Sequence, residues 1–322
     1  MRKTLVVLIV LAALPGCSKS TRPGSLVATP TSSFPVTLTA ANGSVTISSK
    51  PSAIVSLSPT ATEMLFAIGA GTQVRAVDDQ SNYPPNAPKT KLSGFQPNVE
   101  AIAAYQPDLV VVSGDVPGLV TSLKKISIPV LVEPAAKTID DSYKQIEQLG
   151  QATGHVKEAG TLVASMRGRI QTIIASVPKF ATPPTYYHEL DNTYFTATSK
   201  TFIGSVYGLL GMKNIADPAD KKASDYPQLS AEYIIQTNPQ MIFLADTKCC
   251  GQSITTVRKR PGWNQITAVR DGRVIPLDDD IASRWGPRTV GSPPAFCASP
   301  GPPCWVCSSD RFTWARSTSS RS

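Results

Sequence analysis

Short apolar runs alternate with helical segments in two stretches of this sequence, 53–137 and 183–290, and one long amphipathic segment lies between them. The strand candidates lie at 53–57, 73–77, 109–112 and 129–132 in the first stretch, and at 185–190, 241–245 and 273–277 in the second. Those at 109–112 and 129–132 are continuously apolar, which is the pattern of strands buried on both faces of a parallel sheet. Each stretch is therefore predicted to form an α/β lobe.

The segment between the two stretches, 138–182, has the pattern of a helical connection. From His155 to Val177, apolar residues recur every three or four positions, as they do on one face of an amphipathic helix. A helix of that length would extend about 34 Å at 1.5 Å per residue. We therefore expect a rigid backbone helix at 155–177 that joins the two lobes.

A short motif occurs once in each stretch, at a constant offset of 132 residues. The copies begin at Gln96 and Gln228, and each continues with a cap residue, a glutamate, a proline and an apolar run. This pattern predicts that Glu100 and Glu232 lie in the first turns of equivalent helices. Stabilisation of the helix dipole would account for either glutamate alone. The same residue in both stretches also fits a second interpretation, in which the pair docks onto a partner protein.

The first 52 residues predict an address outside the cytoplasm. Residues 1–16 combine Arg2 and Lys3 with an apolar run that is too short to span a membrane, which is the layout of a signal peptide. The Leu-Pro-Gly-Cys string that ends at Cys17 resembles the lipobox of bacterial lipoproteins and predicts lipidation of Cys17; an incidental cysteine after an ordinary signal is the alternative. Residues 17–52 are predicted to be the lipidated N-terminus and a flexible tether, because Ser, Thr and Pro dominate their first half.

Charge and motifs restrict the classes of function. The net charge is +8, but the basic residues are scattered among carboxylates, which argues against a nucleic-acid-binding face. The sequence has no nucleophile elbow, His-Glu-x-x-His motif or Walker loop, so no catalytic residue is predicted. Its two histidines, His155 and His188, are far apart, which argues against a metal site. A binding protein is favoured over a secreted enzyme with the same lobes.

Five strings in this order resemble the solute-binding proteins of bacterial importers for vitamin B12 and ferric siderophores. They are IVSLSPTATE at 54–63, SNYPP at 81–85, GFQPNVE at 94–100, YQPDLV at 105–110 and RWGPR at 284–288. The resemblance implies two Rossmann-like lobes joined by a rigid backbone helix, with a ligand cleft between them. It implies an iron-siderophore, haem or cobalamin-type chelate as ligand and no resident cofactor. A surface-anchored binding or sensor lipoprotein without a transporter is the alternative.

The resemblance also implies partners and site residues. Glu100 and Glu232 fall at positions where the family pairs with arginines of an ABC permease, which acts with a cytoplasmic ATPase. Membrane attachment through the lipid anchor only, and a monomer, are expected. The residues expected to face the ligand by matching motifs are Gln80, Phe95, Tyr226 and Arg284, with Tyr83, Phe195 and Trp285 as neighbouring candidates.

Two features do not follow from the resemblance. Cys249 and Cys250 are adjacent after an apolar run, where a vicinal disulfide, a reactive thiol pair and simple burial are all open. The last segment, 291–322, is rich in Pro, Ser, Cys and Trp and has no periodicity, so an irregular, disordered tail is predicted, out of frame or otherwise replaced relative to the family. Cys304 and Cys307 in this tail have the spacing of a zinc pair but no matching second pair.

Overall fold

The computed structural model describes residues 33–290. The predicted signal peptide, the lipidation site at Cys17 and the tail at 291–322 lie outside these residues. Within the described part, no helix is both long enough and apolar enough to cross a membrane.

The described chain begins with an antiparallel hairpin, where the sequence predicted a tether as far as residue 52. Its strands are β1 (Val36–Ala40) and β2 (Gly43–Ile47). Leu38, Val45 and Ile47 are buried in the main core of the first lobe. The prediction is wrong for 36–47, because alternating apolar residues fix one face of this hairpin against the lobe.

The first lobe is built on a parallel sheet of four strands in the order β4-β3-β5-β6. The predicted apolar runs form these strands, and all their residues are buried except Arg75. Apolar clusters cover both faces of the sheet, as the continuous runs indicated. The strands are β3 (Ile54–Leu57), β4 (Val74–Val77), β5 (Leu109–Val112) and β6 (Val130–Val132), and the helices are α1 (Pro59–Ala67), α2 (Val99–Ala103) and α3 (Leu119–Lys125).

Two consecutive helices connect the lobes. Helix α4 (Ile139–Thr153) begins with a capping box formed by Thr138 and Asp141 and ends at Gly154, whose φ of +74° suits glycine. Helix α5 (Val156–Ser176) matches the backbone helix expected at 155–177 and is about 31 Å long at 1.5 Å per residue. Its buried residues, Ala159, Val163 and Met166, all belong to the first-lobe core.

The second lobe has its own parallel sheet, in the order β10-β9-β7-β8. Its largest core side chain is Trp263, which is fully buried beside Tyr187. The strands are β7 (Thr185–Glu189), β8 (Lys213–Asn214), β9 (Met241–Leu244) and β10 (Val274–Pro276); the helices are α6 (Phe202–Leu209), α7 (Ala231–Thr237), α8 (Ile254–Arg258), α9 (Thr267–Arg270) and α10 (Asp279–Ala282). Two separate parallel sheets joined by a long helix confirm the predicted fold class.

After α10, residues 284–290 return to the first lobe. Val290 is buried in the first-lobe core, and the ring of Trp285 packs against the same core. Trp285 also donates its indole N–H to Gln145 Oε1 over 2.7 Å, and its carbonyl accepts a hydrogen bond from Ser142. The end of the second stretch is therefore anchored on α4.

Candidate ligand-binding site

The carboxyl ends of the strands carry the polar and aromatic groups that could meet a ligand. Open parallel sheets bind ligands at this edge, because the loops that follow the strands converge there. In the first lobe, Asp78 follows β4 and Glu133 follows β6; in the second, Glu189 ends β7 and Asp246 follows β9. All four carboxylates are buried.

The loop after β4 places Gln80 and Tyr83. The Asp78 carboxylate accepts hydrogen bonds from the Gln80 backbone N–H at 2.8 Å and from Ser81 Oγ at 3.1 Å, which fixes the turn. Burial raises the pKa of Asp78, and these hydrogen bonds oppose the shift. The Tyr83 ring is 41% exposed, and the Arg288 guanidinium lies 4.2 Å from its centroid.

Phe95 is the most exposed large apolar side chain of the described chain, at 81%. Its loop is held by Ser93, whose Oγ accepts from the backbone N–H groups of Phe95 and Gln96 at 3.2 and 3.0 Å. Gly94 sits where a Cβ atom would lie 2.8 Å from the Leu57 carbonyl oxygen, so the loop approaches the end of β3 too closely for a side chain. The loop therefore presents the phenyl ring outward from a fixed backbone.

In the second lobe, two extended segments place Phe195 and Tyr226 near each other. Phe195 forms an antiparallel bridge with Gln228, and Thr196 N–H donates to the Pro227 carbonyl at 3.0 Å. The Phe195 ring is 39% exposed and the Tyr226 ring 45%. The structure thus brings these two predicted residues together as a partly open aromatic surface.

Arg284 lies at the junction of the two lobes. It donates to Glu63 Oε1 at 2.8 Å and Asp280 Oδ1 at 2.9 Å, and to Asn82 Oδ1 and the Gln80 carbonyl at 2.9 and 3.0 Å. Its side chain is only 10% exposed. Arg284 and Gln80 are therefore adjacent as predicted candidates, but the guanidinium is already oriented by protein groups. Whether it also touches a ligand stays a prediction, as it does for Trp285, which packs on the first-lobe core.

Glu63 is the site residue that sequence reasoning missed. It lies in α1 with a side chain 1% exposed, and it accepts hydrogen bonds from Arg284 and from both Nε and Nη2 of Arg288. A single charged residue in the otherwise uncharged segment of α1 was the available signal, because a buried carboxylate needs a cationic partner. We call Glu63, Asp280, Arg284 and Arg288 the junction network.

Glu100 and Glu232 lie where the internal repeat placed them. Both are exposed, and both are in the first turn of a helix, α2 and α7 respectively. Asn98 Oδ1 caps α2 by accepting from Ala101 N–H at 2.7 Å, and Ser230 Oγ caps α7 by accepting from Tyr233 N–H at 3.2 Å. Because each helix leads into a strand parallel to the preceding one, each begins at the carboxyl edge of its sheet.

Buried polar groups crowd the carboxyl edge of the second sheet. Arg260 donates to both oxygens of Glu189, and its guanidinium lies 4.4 Å from the Trp263 ring centroid. Burial and the neighbouring Glu189 raise the pKa of Asp246 to about 8.

The two histidines, which the sequence argued against as metal ligands, have different surroundings. Burial lowers the pKa of His188 to about 3, so the imidazole is neutral; its Nδ1 lies 2.9 Å from the Tyr207 hydroxyl. His155 lies just before α5, where its Nδ1 is 3.2 Å from Thr153 Oγ1. Within residues 33–290, no group of three or more His, Cys, Asp or Glu side chains is arranged to hold a metal ion.

A small cavity lies beside His188, between α6 and the segment that follows β10. It has a volume of about 30 Å³ and mostly apolar walls that include Phe202, Tyr207 and Leu277. This is the space of one or two water molecules. This cavity is therefore too small for a large organic ligand.

Comparisons with known proteins agree with this architecture. The chain matches the family described as periplasmic binding protein over residues 54–281. It is 32% identical to an uncharacterized ABC transporter substrate-binding lipoprotein, YvrC, of Bacillus subtilis strain 168, over 88% of this chain and 91% of that protein. It is also 32% identical to a cobalamin-binding protein of Halobacterium salinarum, over 80% of this chain and 72% of that protein.

A solved structure shows the same similarity in three dimensions. A possible iron-binding, periplasmic solute-binding protein of Staphylococcus epidermidis superposes with a TM-score of 0.64 at 29% identity. The match covers 74% of this chain and 95% of that one. These relatives are named as binding proteins and not as enzymes.

Proposed function

Because this chain belongs to the periplasmic binding protein family, we propose that it is the extracytoplasmic solute-binding component of an ABC importer. Its proposed ligand is a small metal chelate of the cobalamin, haem or ferric siderophore class. The relatives support this class, since one is named a cobalamin-binding protein and another a possible iron-binding protein. In this proposal the chelate is cargo, and the protein has neither a catalytic residue nor a resident cofactor.

The exposure of the aromatic rings is the observation that carries the ligand proposal. Of the five aromatic residues among the exposed large hydrophobic side chains of the described part, four are the sequence-predicted ligand residues Tyr83, Phe95, Phe195 and Tyr226. Exposed apolar side chains that together line one groove mark ligand-binding sites. A large chelate with apolar faces would cover them, because rings bury much apolar area and stack on flat ligands.

Titration of the purified protein tests this ligand class. Binding of cyanocobalamin, haem and several ferric siderophores is measured by quenching of intrinsic fluorescence and by calorimetry. For the ligand that binds, Phe95→Ala and Tyr226→Ala should each weaken the affinity about tenfold or more, since each removes roughly 1.5–3 kcal/mol of apolar burial.

Tyr105→Ala is the matched control for these two variants. Tyr105 is 39% exposed, is aromatic and directly follows α2, yet no motif predicts it to face the ligand. Its removal should leave the affinity unchanged. Equal losses for Tyr105→Ala and Phe95→Ala would contradict the proposed surface, and no binding of any chelate would contradict the ligand class.

Glu100 and Glu232 are proposed to dock onto arginines of the permease. Their exposure and their equivalent places in the two lobes support this role. Exposed ion pairs add little affinity, but complementary charges fix the orientation in which two proteins meet. The pair would therefore align the ligand site with the translocation path.

Uptake by cells that carry the cognate permease and ATPase tests the docking role. The double variant Glu100→Gln, Glu232→Gln should lower the uptake rate while ligand affinity stays at the wild-type value. Glu158→Gln is the control, because Glu158 is also exposed in the first turn of a helix, α5. This substitution removes the same kind of helix-dipole stabilisation. Uptake that is unchanged in the double variant would contradict docking through these residues.

The remaining parts of the proposal concern address and domain organisation. We propose residues 1–16 as a signal peptide, Cys17 as the lipid anchor, 53–137 and 183–290 as the two lobes, and a monomeric state. Cys17→Ser should move the mature protein from the membrane fraction to the soluble extracytoplasmic fraction. Retention of that variant in membranes would contradict anchoring through Cys17.

A further inference from the structure

Cys249 and Cys250 lie in the loop that follows β9 at the carboxyl edge of the second sheet. Both are free thiols; Cys249 is exposed and Cys250 is half-buried. The exposure of Cys249 removes simple burial from the three interpretations of the pair. In residues 33–290 they are the only cysteines, so within this range each has only the other as a covalent partner.

The backbone around the pair is fixed from two sides. Asp279 Oδ1 accepts from the Thr247 N–H at 2.9 Å, and Asp279 Oδ2 accepts from the N–H groups of Lys248 and Cys249 at 2.8 and 3.0 Å. On the other side, the Asp246 carbonyl accepts from Cys250 N–H at 3.3 Å. These hydrogen bonds fix the backbone conformation of both cysteines.

The two cysteines are consecutive residues on this hydrogen-bonded backbone, so their side chains branch from neighbouring Cα atoms. Burial, followed by the contact with Cys250, raises the pKa of Cys249 to about 12. Cys249 therefore reacts slowly until a base removes its proton. Two adjacent free thiols, one of them exposed to solvent, are the arrangement from which an intramolecular disulfide closes.

We propose that Cys249 and Cys250 are a reversible vicinal disulfide site whose co-reactant is a small-molecule or protein disulfide. One cysteine, as its thiolate, attacks the disulfide RSSR, forms a mixed disulfide and releases RS⁻, which takes up a proton. The second cysteine loses its proton and attacks the mixed disulfide, releasing the second RSH. The pair is oxidised by two electrons, RSSR is reduced to two RSH, and one S–S bond is formed for the one that is broken.

The closed ring is strained, which makes the site reversible. The 249–250 peptide bond is not among the cis bonds of the described chain, so the two Cα atoms are about 3.8 Å apart. Ordinary disulfides span about 4.4–6.8 Å, and shorter separations store strain that favours reduction. An extracytoplasmic address, which rests on the proposed function, would supply the oxidising compartment.

Mass spectrometry of one tryptic peptide tests the proposal without any ligand or transporter. Trypsin cleaves after Lys248 and Arg258, so the peptide 249–258 contains both cysteines and no other thiol. The purified full chain is incubated with oxidised glutathione, unfolded, alkylated with iodoacetamide and digested. We expect an unalkylated peptide lighter by two hydrogens than its reduced form, which takes up two alkyl groups after dithiothreitol treatment of the native protein.

The single variants Cys249→Ser and Cys250→Ser are the matched controls. Each leaves one thiol that cannot close a ring and should be recovered as the mixed disulfide with glutathione. Dialkylation of the wild-type peptide after oxidation, two glutathione adducts on it, or a cross-link to a peptide from 291–322 would overturn the proposal. Because none of these readouts involves ligand binding or uptake, failure here is distinct from failure of the proposed function.

Discussion

Substitution of Glu63 by glutamine tests the junction network directly. The carboxylate is 1% exposed, and the two arginine side chains that it binds are 10% and 19% exposed. Glu63→Gln keeps the size of the side chain but removes its charge. Within the described part, Arg288 directs its hydrogen bonds to Glu63, whereas Arg284 keeps Asp280, Asn82 and the Gln80 carbonyl as partners.

The expected loss follows from the cost of leaving a buried charge unpaired. Removal of one partner from a buried ion pair costs about 3–5 kcal/mol, and we expect the lower end because Arg284 keeps other acceptors. For a protein of this size, a loss of about 3 kcal/mol corresponds to a fall in Tm of roughly 6–12 °C. Urea unfolding followed by tryptophan fluorescence measures the free energy, since Trp285 lies next to the network.

Asp271→Asn provides the comparison for this measurement. Asp271 and Arg273 form an exposed ion pair, 2.7 Å apart, with side chains 41% and 32% exposed. Its removal should change the free energy of unfolding by less than about 1 kcal/mol. A loss for Glu63→Gln no larger than for Asp271→Asn would refute the reasoning that the network stabilises the junction of the lobes.

Three further substitutions have defined outcomes. Burial raises the pKa of Glu133 from 4.5 to about 8, so between about pH 4.5 and pH 8 the folded state holds a proton that the unfolded state has lost. The free energy of unfolding should therefore fall as the pH rises from about 4.5 to about 8. In Glu133→Gln this fall should be smaller, as measured by urea unfolding at several pH values. Gly204→Ala would place a Cβ atom too close to the Thr198 carbonyl oxygen and should cost about 1–3 kcal/mol, whereas Gly208→Ala, on the same helix with nothing within 4 Å, should gain roughly 0.5–1 kcal/mol. Ser230→Ala removes the cap of α7 and should cost about 1 kcal/mol, measured as a lower thermal midpoint with unchanged ligand affinity.

The sheets were readable from the sequence because most of their strands are short runs rich in apolar or aromatic residues. Leu109–Val112 was predicted to the residue, since burial on both faces leaves no polar position in that strand. Thr185–Glu189 was predicted within one residue, although it contains Thr, His and Glu. The hairpin at 36–47 was missed because its apolar residues alternate with Ser and Thr inside a polar composition. Strand β8 has two residues, Lys213 and Asn214, and so offers no periodicity at all.

The site was only partly readable, for a different reason. Phe95 and Tyr226 were chosen by matching motifs to the family, and both side chains are exposed. Their contact with a ligand stays a prediction. The partners of Arg284 were not readable, because Glu63 is 221 residues away in sequence and only the fold brings the two together. Local pattern identifies candidate groups, but burial and pairing are decided by tertiary contacts.

The contact of Arg284 and Arg288 with Glu63 of α1 has a consequence for folding. Arg284 follows Glu63 by 221 residues, so a chain that folds from its N-terminus as it is exported exposes the Glu63 carboxylate before Arg284 and Arg288 can pair with it. Burial of Glu63 before Arg284 and Arg288 are available therefore costs free energy, so the first lobe completes its packing only after these arginines have been added. A nascent chain that stops short of residue 284 should behave as a loosely collapsed, protease-sensitive species.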